Sequence, residues 1–171
     1  MAQVITIANR KGGVGKTTTT LNLACSLREL GKKILVIDLD PQANLTRCFD
    51  VGNSENIKTV GHLLTAELEE ESYSVEEYIL SYDEMDIIPS SIFLSAVETQ
   101  MRSETGSERI LSEIINQIRE HYDYILIDTS PSLNILNINA LCASDSVLIT
   151  ADTGVFAVVG IGELLKTVQK I

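Results

Sequence analysis

The chain has 171 residues, with 13 Lys and Arg against 24 Asp and Glu, for a formal net charge of −11 at pH 7. That length suits one domain, able to bury roughly 70% of the surface its unfolded chain exposes. The acidic balance excludes polyanion binding as the default activity, because cations must cluster to hold a phosphate backbone. Cys25, Cys48 and Cys142 are odd in number and lack CxxC spacing, which argues against a disulfide framework or a cysteine zinc site and fits a reducing compartment. The N-terminus has no basic start of a signal peptide, and no apolar run reaches the length of a membrane span, so the expected location is cytoplasmic.

Residues 4–8, VITIA, are short and β-branched, as a buried parallel strand is. The glycine-rich NRKGGVGKTT follows at residues 9–18. TTTLNLACSLRELG then places leucines at 21, 23, 27 and 30 ahead of Gly31, which predicts a helix closed by that glycine. KKILVIDLD reads as a second buried strand ending in acids. Strand, glycine loop, helix and strand make a βαβ unit, which implies a right-handed crossover and a parallel sheet.

The pattern weakens from Val51 to Met85. No Lys or Arg stands between Lys58 and Arg102, and the acidic run TAELEEESYSVEEY reads as a solvated helical face or connecting segment. MDIIPS, residues 85–90, predicts a short strand running into a proline turn. Ser107 is expected to cap a helix through SERILSEIINQIREH, whose apolar positions 110, 111, 114, 115 and 118 share one face. DYILIDTSPS gives a strand ending at Asp128, SVLITA a further strand, and the closing GIGELLKTVQKI a helix.

Three stretches carry chemistry. The phosphate-loop pattern G-x-x-x-x-G-K-[ST] places its last members at Gly15, Lys16 and Thr17, but its first glycine would fall on Arg10, beside Lys11. A glycine turn between strand and helix gathers backbone N–H groups at the positive end of the helix dipole, which suits a phosphate chain. Gly12, Gly13 and Gly15 allow the backbone shapes and close approach that a Cβ would block. Lys16 suits the β- and γ-phosphates, and the Thr17 hydroxyl suits magnesium. Asp128 ends the apolar YILID and is placed to hold that magnesium, directly or through water. In DLDPQANLT, Asp38 or Asp40 suits positioning a water for attack on the γ-phosphate. The alternative is a plain turn with Asn44 as helix N-cap, and composition leaves both open.

KGGVGKTT, DLDPQANLT and ILIDTSPSL together resemble the deviant Walker A ATPases, specifically the ParA/Soj-type chromosome- and plasmid-partition proteins. The resemblance runs from ITIANRKGGVGKTTTTLNLA to the VLIT and FAVVGI stretches near the end, and DxDPQxN is its most specific part. In that family the absent first glycine is normal and an extra lysine, here Lys11, is the defining feature.

The resemblance implies an α/β fold: a P-loop NTPase-like three-layer sandwich with a mostly parallel central sheet and helices on both faces. It implies ATP and Mg2+ as ligands, held by a loop of Lys11, Gly12, Gly13, Val14, Gly15, Lys16, Thr17 and Thr18. Thr17 and Asp128 match the magnesium ligands, and Asp40 the acid needed for hydrolysis. Two subunits are expected to sandwich ATP, each sending Lys11 across to the other's phosphates, so that nucleotide binding and dimerisation depend on each other. A ParB-like centromere-binding protein and nonspecific DNA are the implied partners of a full-length protein, with no membrane.

Competing readings are a membrane-surface positioning ATPase of cell division, which needs a basic amphipathic helix, a metallocluster protein on the same fold, and a nucleotide-binding module without turnover. No cysteine follows Asp128 closely, so the three cysteines read as ordinary buried residues. Relatives are longer, and the chain is expected to be an N-terminal fragment. It also departs from them at Thr150 and Gly154, where a proline and a glutamate are common, and at Ser130, which replaces a proline.

Overall fold

The computed structural model describes residues 1–49, 57–153 and 155–169. Its strands are β1 (Gln3–Ala8), β2 (Ile34–Leu39), β3 (Leu80–Tyr82), β4 (Met85–Ile88), β5 (Tyr124–Thr129) and β6 (Ser146–Ile149). Its helices are α1 (Lys16–Glu29), α2 (Val60–Leu68), α3 (Leu94–Met101), α4 (Ile110–Ile118), α5 (Ile135–Cys142) and α6 (Val155–Val168). The six strands form one sheet in the order β3-β4-β2-β5-β1-β6, parallel except where β3 runs antiparallel to β4. The mostly parallel sandwich expected from the sequence is the one observed.

All six residues of β2 are buried, because helices cover both faces of the sheet. Alternation along the strands divides the core in two. Leu35, Ile37, Ile125 and Ile127 join the cluster of α2 to α5, whereas Ile34, Val36, Leu126 and Ile7 pack with Ala24, Leu21 and Leu27 of α1. Leu164 of α6 packs with Ala8 and Leu141, against Val147 and Ile149 of β6. Leu126 lies in a central strand and is fully buried. Leu126→Ala is therefore expected to cost about 2–5 kcal/mol, read as a lowered denaturation midpoint with an unchanged slope.

Several local expectations change. Gly31 does close α1, with φ 74° and its N–H donating to the Arg28 carbonyl at 2.7 Å, but Leu30 is 74% exposed and belongs to no apolar face. All five apolar positions of α4 are buried. Ser107 does not cap that helix: it opens a 3-10 turn, Ser107–Arg109, and its hydroxyl donates to the Met101 carbonyl at 2.6 Å. Strand β5 runs one residue past Asp128, to Thr129, and α6 begins at Val155, earlier than the closing pattern indicated. Within the weakly patterned stretch, residues 51–56 lie outside the described residues, and the acidic run resolves into α2, a connection and a 3-10 turn, Val75–Tyr78. Strand β3 and helix α3 were not among the expected elements, although Leu94, Val97 and Met101 of α3 stand at helical spacing and are buried.

The topology positions the site. Strand β5 inserts between β1 and β2, so the carboxyl ends of three parallel strands meet at one edge. In register, Asp128 stands beside Ile7 on one side and Asp38 on the other.

Candidate active site

The loop after β1 is set by its own backbone. Gly13 and Gly15 have φ of 75° and 85°, in the left-handed region that side chains with a Cβ avoid. Nothing lies within 4 Å of a Cβ added at either, so the requirement is conformational rather than steric. At Gly12 the added atom would stand 3.9 Å from the Pro131 Cβ, an ordinary contact. Asn9 is buried and braces the loop from within: its Oδ1 accepts the Lys11 N–H at 2.9 Å, and its amide donates to the Thr150 carbonyl. Gly15 then stands at the N-cap of α1 and provides no side-chain cap, leaving the first amides of the helix for another acceptor.

After Lys16, helix α1 continues through four threonines, which are poor helix formers. Tertiary bonds explain their place. Thr17 and Thr20, three apart, share a face that meets the β5 carboxylate. The Thr17 hydroxyl donates to Asp128 Oδ2 at 2.7 Å, and the Thr20 hydroxyl to Asp128 Oδ1 at 3.2 Å. Lys16 is buried, with its ammonium donating to the Lys11 carbonyl at 3.3 Å. Burial lowers its pKa, while the charges of Asp128 and Asp40 oppose that shift.

These groups line a cavity of about 420 Å³. Gly12, Gly13, Gly15, Lys16, Thr17 and Thr18 form one wall; Asp40, Gln42 and Asn44 form the other, with Thr129 and Pro131 between. The size suits a small ligand, and the wall of glycine amides with one ammonium suits a polyanionic one. Gln42, Thr129 and Pro131 had not stood out in the sequence, and neither had Asn9; their part comes from position in the fold alone. Lys11 and Val14 belong to the loop but not to the cavity lining. The Lys11 ammonium pairs with Asp152 at the surface, both side chains about half exposed.

The fold separates the two acids that composition could not. Asp38 is fully buried and accepts the Thr46 N–H at 2.8 Å, the Thr46 hydroxyl at 2.6 Å and the Asp40 N–H at 3.1 Å. Asp40 faces the cavity, with its Oδ1 accepting the Gln42 N–H at 2.9 Å. Thr46 begins a 3-10 turn, Thr46–Phe49, and its N–H is taken by Asp38, not by Asn44 as the alternative reading had it; Asn44 lines the cavity.

Burial lifts the Asp128 carboxyl to about 7; the Thr17 hydroxyl pulls it down, and the adjacent Asp38 pushes it further up. Asp38 is likewise raised by burial, against its bonds to Thr46. For Asp128 the folded value exceeds the ordinary 3.8. Its contribution to stability is thus full below about pH 4 and is lost as pH rises through about 7. In metal-free buffer, the melting temperature of Asp128→Asn is expected to gain on wild type between about pH 4 and about pH 7, and to run parallel above that. A constant offset across the range would remove Asp128 as the titrating group.

Among the described residues no three His, Cys, Asp or Glu side chains form a metal cage. One hydroxyl and one carboxylate beside a phosphate cradle do fit magnesium, which keeps waters and takes phosphate oxygens as its remaining ligands. Cys25 and Cys142 are partly buried, but Cys48 is exposed, contrary to the expectation of three buried cysteines. The Ser130 hydroxyl lies 3.0 Å from that of Ser132, and the Ser130 carbonyl accepts the Asn137 amide at 3.0 Å. Gly154 lies outside the described residues. No helix among the described residues is long and apolar enough to cross a membrane.

A family model described as an AAA domain matches residues 2–171. The sporulation initiation inhibitor protein Soj of Bacillus subtilis is 36% identical over 173 residues, covering 100% of this chain and 66% of Soj. The chain belongs to the ParA-type family of P-loop ATPases. A plasmid partition protein from Borrelia burgdorferi matches this ParA-type chain with a TM-score of 0.88 and 31% identity, over 99% of this chain and 74% of that one. Cobyrinic acid a,c-diamide synthase from Mycobacterium smegmatis, solved with an ATP analog and magnesium, matches with a TM-score of 0.90 and 29% identity, over 99% and 68%. The ParA-type chain spans from 53% to 66% of the length of the first relatives it matches.

Proposed function

We propose that residues 1–171 form one ATP-binding and hydrolysing domain of a partition switch, which dimerises on ATP and acts in chromosome or plasmid segregation. The observation that carries this reading is the 2.7 Å contact between Thr17 and Asp128 under the glycine loop, with Asp40 on the facing wall of the same cavity. The loop amides from Gly12 to Thr18 and the Lys16 ammonium hold the phosphates. Thr17 and Asp128 hold Mg2+, which neutralises phosphate charge when bound. Asp40 orients the attacking water and accepts its proton. Lys11 serves the partner subunit, as a trans cation does for developing phosphoryl charge. A ParB-like partner and nonspecific DNA belong to this reading for the longer protein.

Solution mass and phosphate release test it together. The expected result is a monomer with ADP and magnesium, a dimer with ATP and magnesium, and slow release of phosphate. A chain that binds nucleotide but stays monomeric and inert would reduce the reading to a nucleotide-binding module.

A further inference from the structure

Asp38 takes no part in lining the cavity, yet it organises the wall opposite the glycine loop. Its carboxylate gathers three donors: the Asp40 N–H at one end of the 40–46 loop, and the N–H and hydroxyl of Thr46 at the other. Both ends of the loop are thereby tied to one buried anion. The residues between them include Asp40, Gln42 and Asn44, which face the cavity.

The Thr46 hydroxyl does more than donate. It also accepts the Ser90 N–H at 2.9 Å, just past the end of β4. The neighbouring Pro89 carbonyl accepts the N–H of Val60, the first residue of α2, at 2.8 Å. A continuous buried path therefore runs from the loop that carries Asp40, through Asp38 and Thr46, to the junction of β4 and α2. Thr46 and Ser90 are 8% and 5% exposed, so water competes little for these bonds.

We propose that Asp38, acting through Thr46, is the positioning residue for ATP hydrolysis: it sets where Asp40 stands without touching nucleotide. This rests on the reading of the site as an ATPase. A loop held at both ends can place a carboxylate to a fraction of an ångström, and misplacement by about 1 Å costs a catalytic group up to about 100-fold. The Lys11, Lys16 and Thr17 bonds of the glycine loop do not involve Thr46, so a change confined to the Thr46 hydroxyl is expected to fall on turnover more than on ground-state binding.

Thr46→Val isolates the effect. It keeps the shape and the N–H bond to Asp38, and it removes both bonds of the hydroxyl. The expected result is a kcat lowered by about 10- to 100-fold, with the dissociation constant for a fluorescent ATP analog and magnesium moved by less than about 3-fold. Thr46→Ser should restore kcat to within about 3-fold of wild type, and Asp38→Asn should also lower kcat, although its lost charge acts on Asp128 as well. Hydrogen exchange at the amides of residues 40 and 46 is expected to quicken in Thr46→Val and Asp38→Asn, with or without nucleotide.

If wild type hydrolyses ATP and Thr46→Val matches it in kcat and in exchange, the positioning role is wrong while the ATPase reading stands. A loss in Thr46→Val that falls equally on binding and kcat, and is not recovered by serine, overturns it too. If wild type neither binds nor hydrolyses ATP, the ATPase reading fails, and this role with it; exchange then reports only whether the clamp exists.

Discussion

Lys11→Ala is expected to leave the chain monomeric in ATP and magnesium and to lower ATP turnover by about 1,000-fold or more, the range of a trans cationic finger. Binding of nucleotide to the single chain should change far less. The reason is where Lys11 stands. Its side chain is half exposed, pairs with Asp152 and is absent from the cavity lining, whereas Lys16 sits buried within the loop. The cradle of one chain is therefore complete without Lys11. The pair with Asp152 is exposed enough to contribute only about 0–1 kcal/mol, so Lys11 leaves it readily for a phosphate across an interface. The same argument predicts an unchanged fold and melting temperature. Light scattering of wild type and variant in ATP and in ADP decides the matter: an ATP dimer that survives Lys11→Ala would remove the trans role.

Asp40→Ala is expected to lower phosphate release by about 100- to 10,000-fold, the usual worth of a general base, while ATP binding and the ATP dimer persist. Asp40 lines the cavity, and its Oδ1 accepts the Gln42 N–H at 2.9 Å. Its backbone N–H keeps Asp38 as partner in the variant, so the loop retains its frame. Removing a carboxylate from a site built for phosphates also lessens repulsion, so affinity for ATP should hold or rise. Single-turnover phosphate release with a parallel binding titration separates the two quantities. A variant that loses affinity and turnover in equal measure would make Asp40 a binding group.

Much of this was legible in the residues themselves, for local reasons. The glycine loop was readable because left-handed turns, a lysine and a helix-starting threonine leave a compact pattern. β1, β2 and β5 were readable because a strand covered on both faces is a nearly continuous apolar run, as ILVIDL is apart from Asp38. Helix α4 declared itself through five apolar positions on one face, all of them buried. Helix α3 carried only three such positions, Leu94, Val97 and Met101, in eight residues, and strand β3 is three residues long, too short for a pattern. Ser107 looked like a cap, yet its hydroxyl found the Met101 carbonyl instead.

The sequence by itself determined that a phosphate loop stands between a strand and a helix, and that acids end the two strands beside it, because each of these is a property of adjacent residues. Only the tertiary structure decided where each acid stands. Inserting β5 between β1 and β2 brings Asp128 under Thr17 and sets Asp38 next to it, in the buried row. Once Asp38 is enclosed there it must spend its lone pairs on Thr46 and Asp40, since a buried carboxylate without donors is prohibitively costly. That leaves Asp40, two residues on and past the end of the strand, facing the cavity.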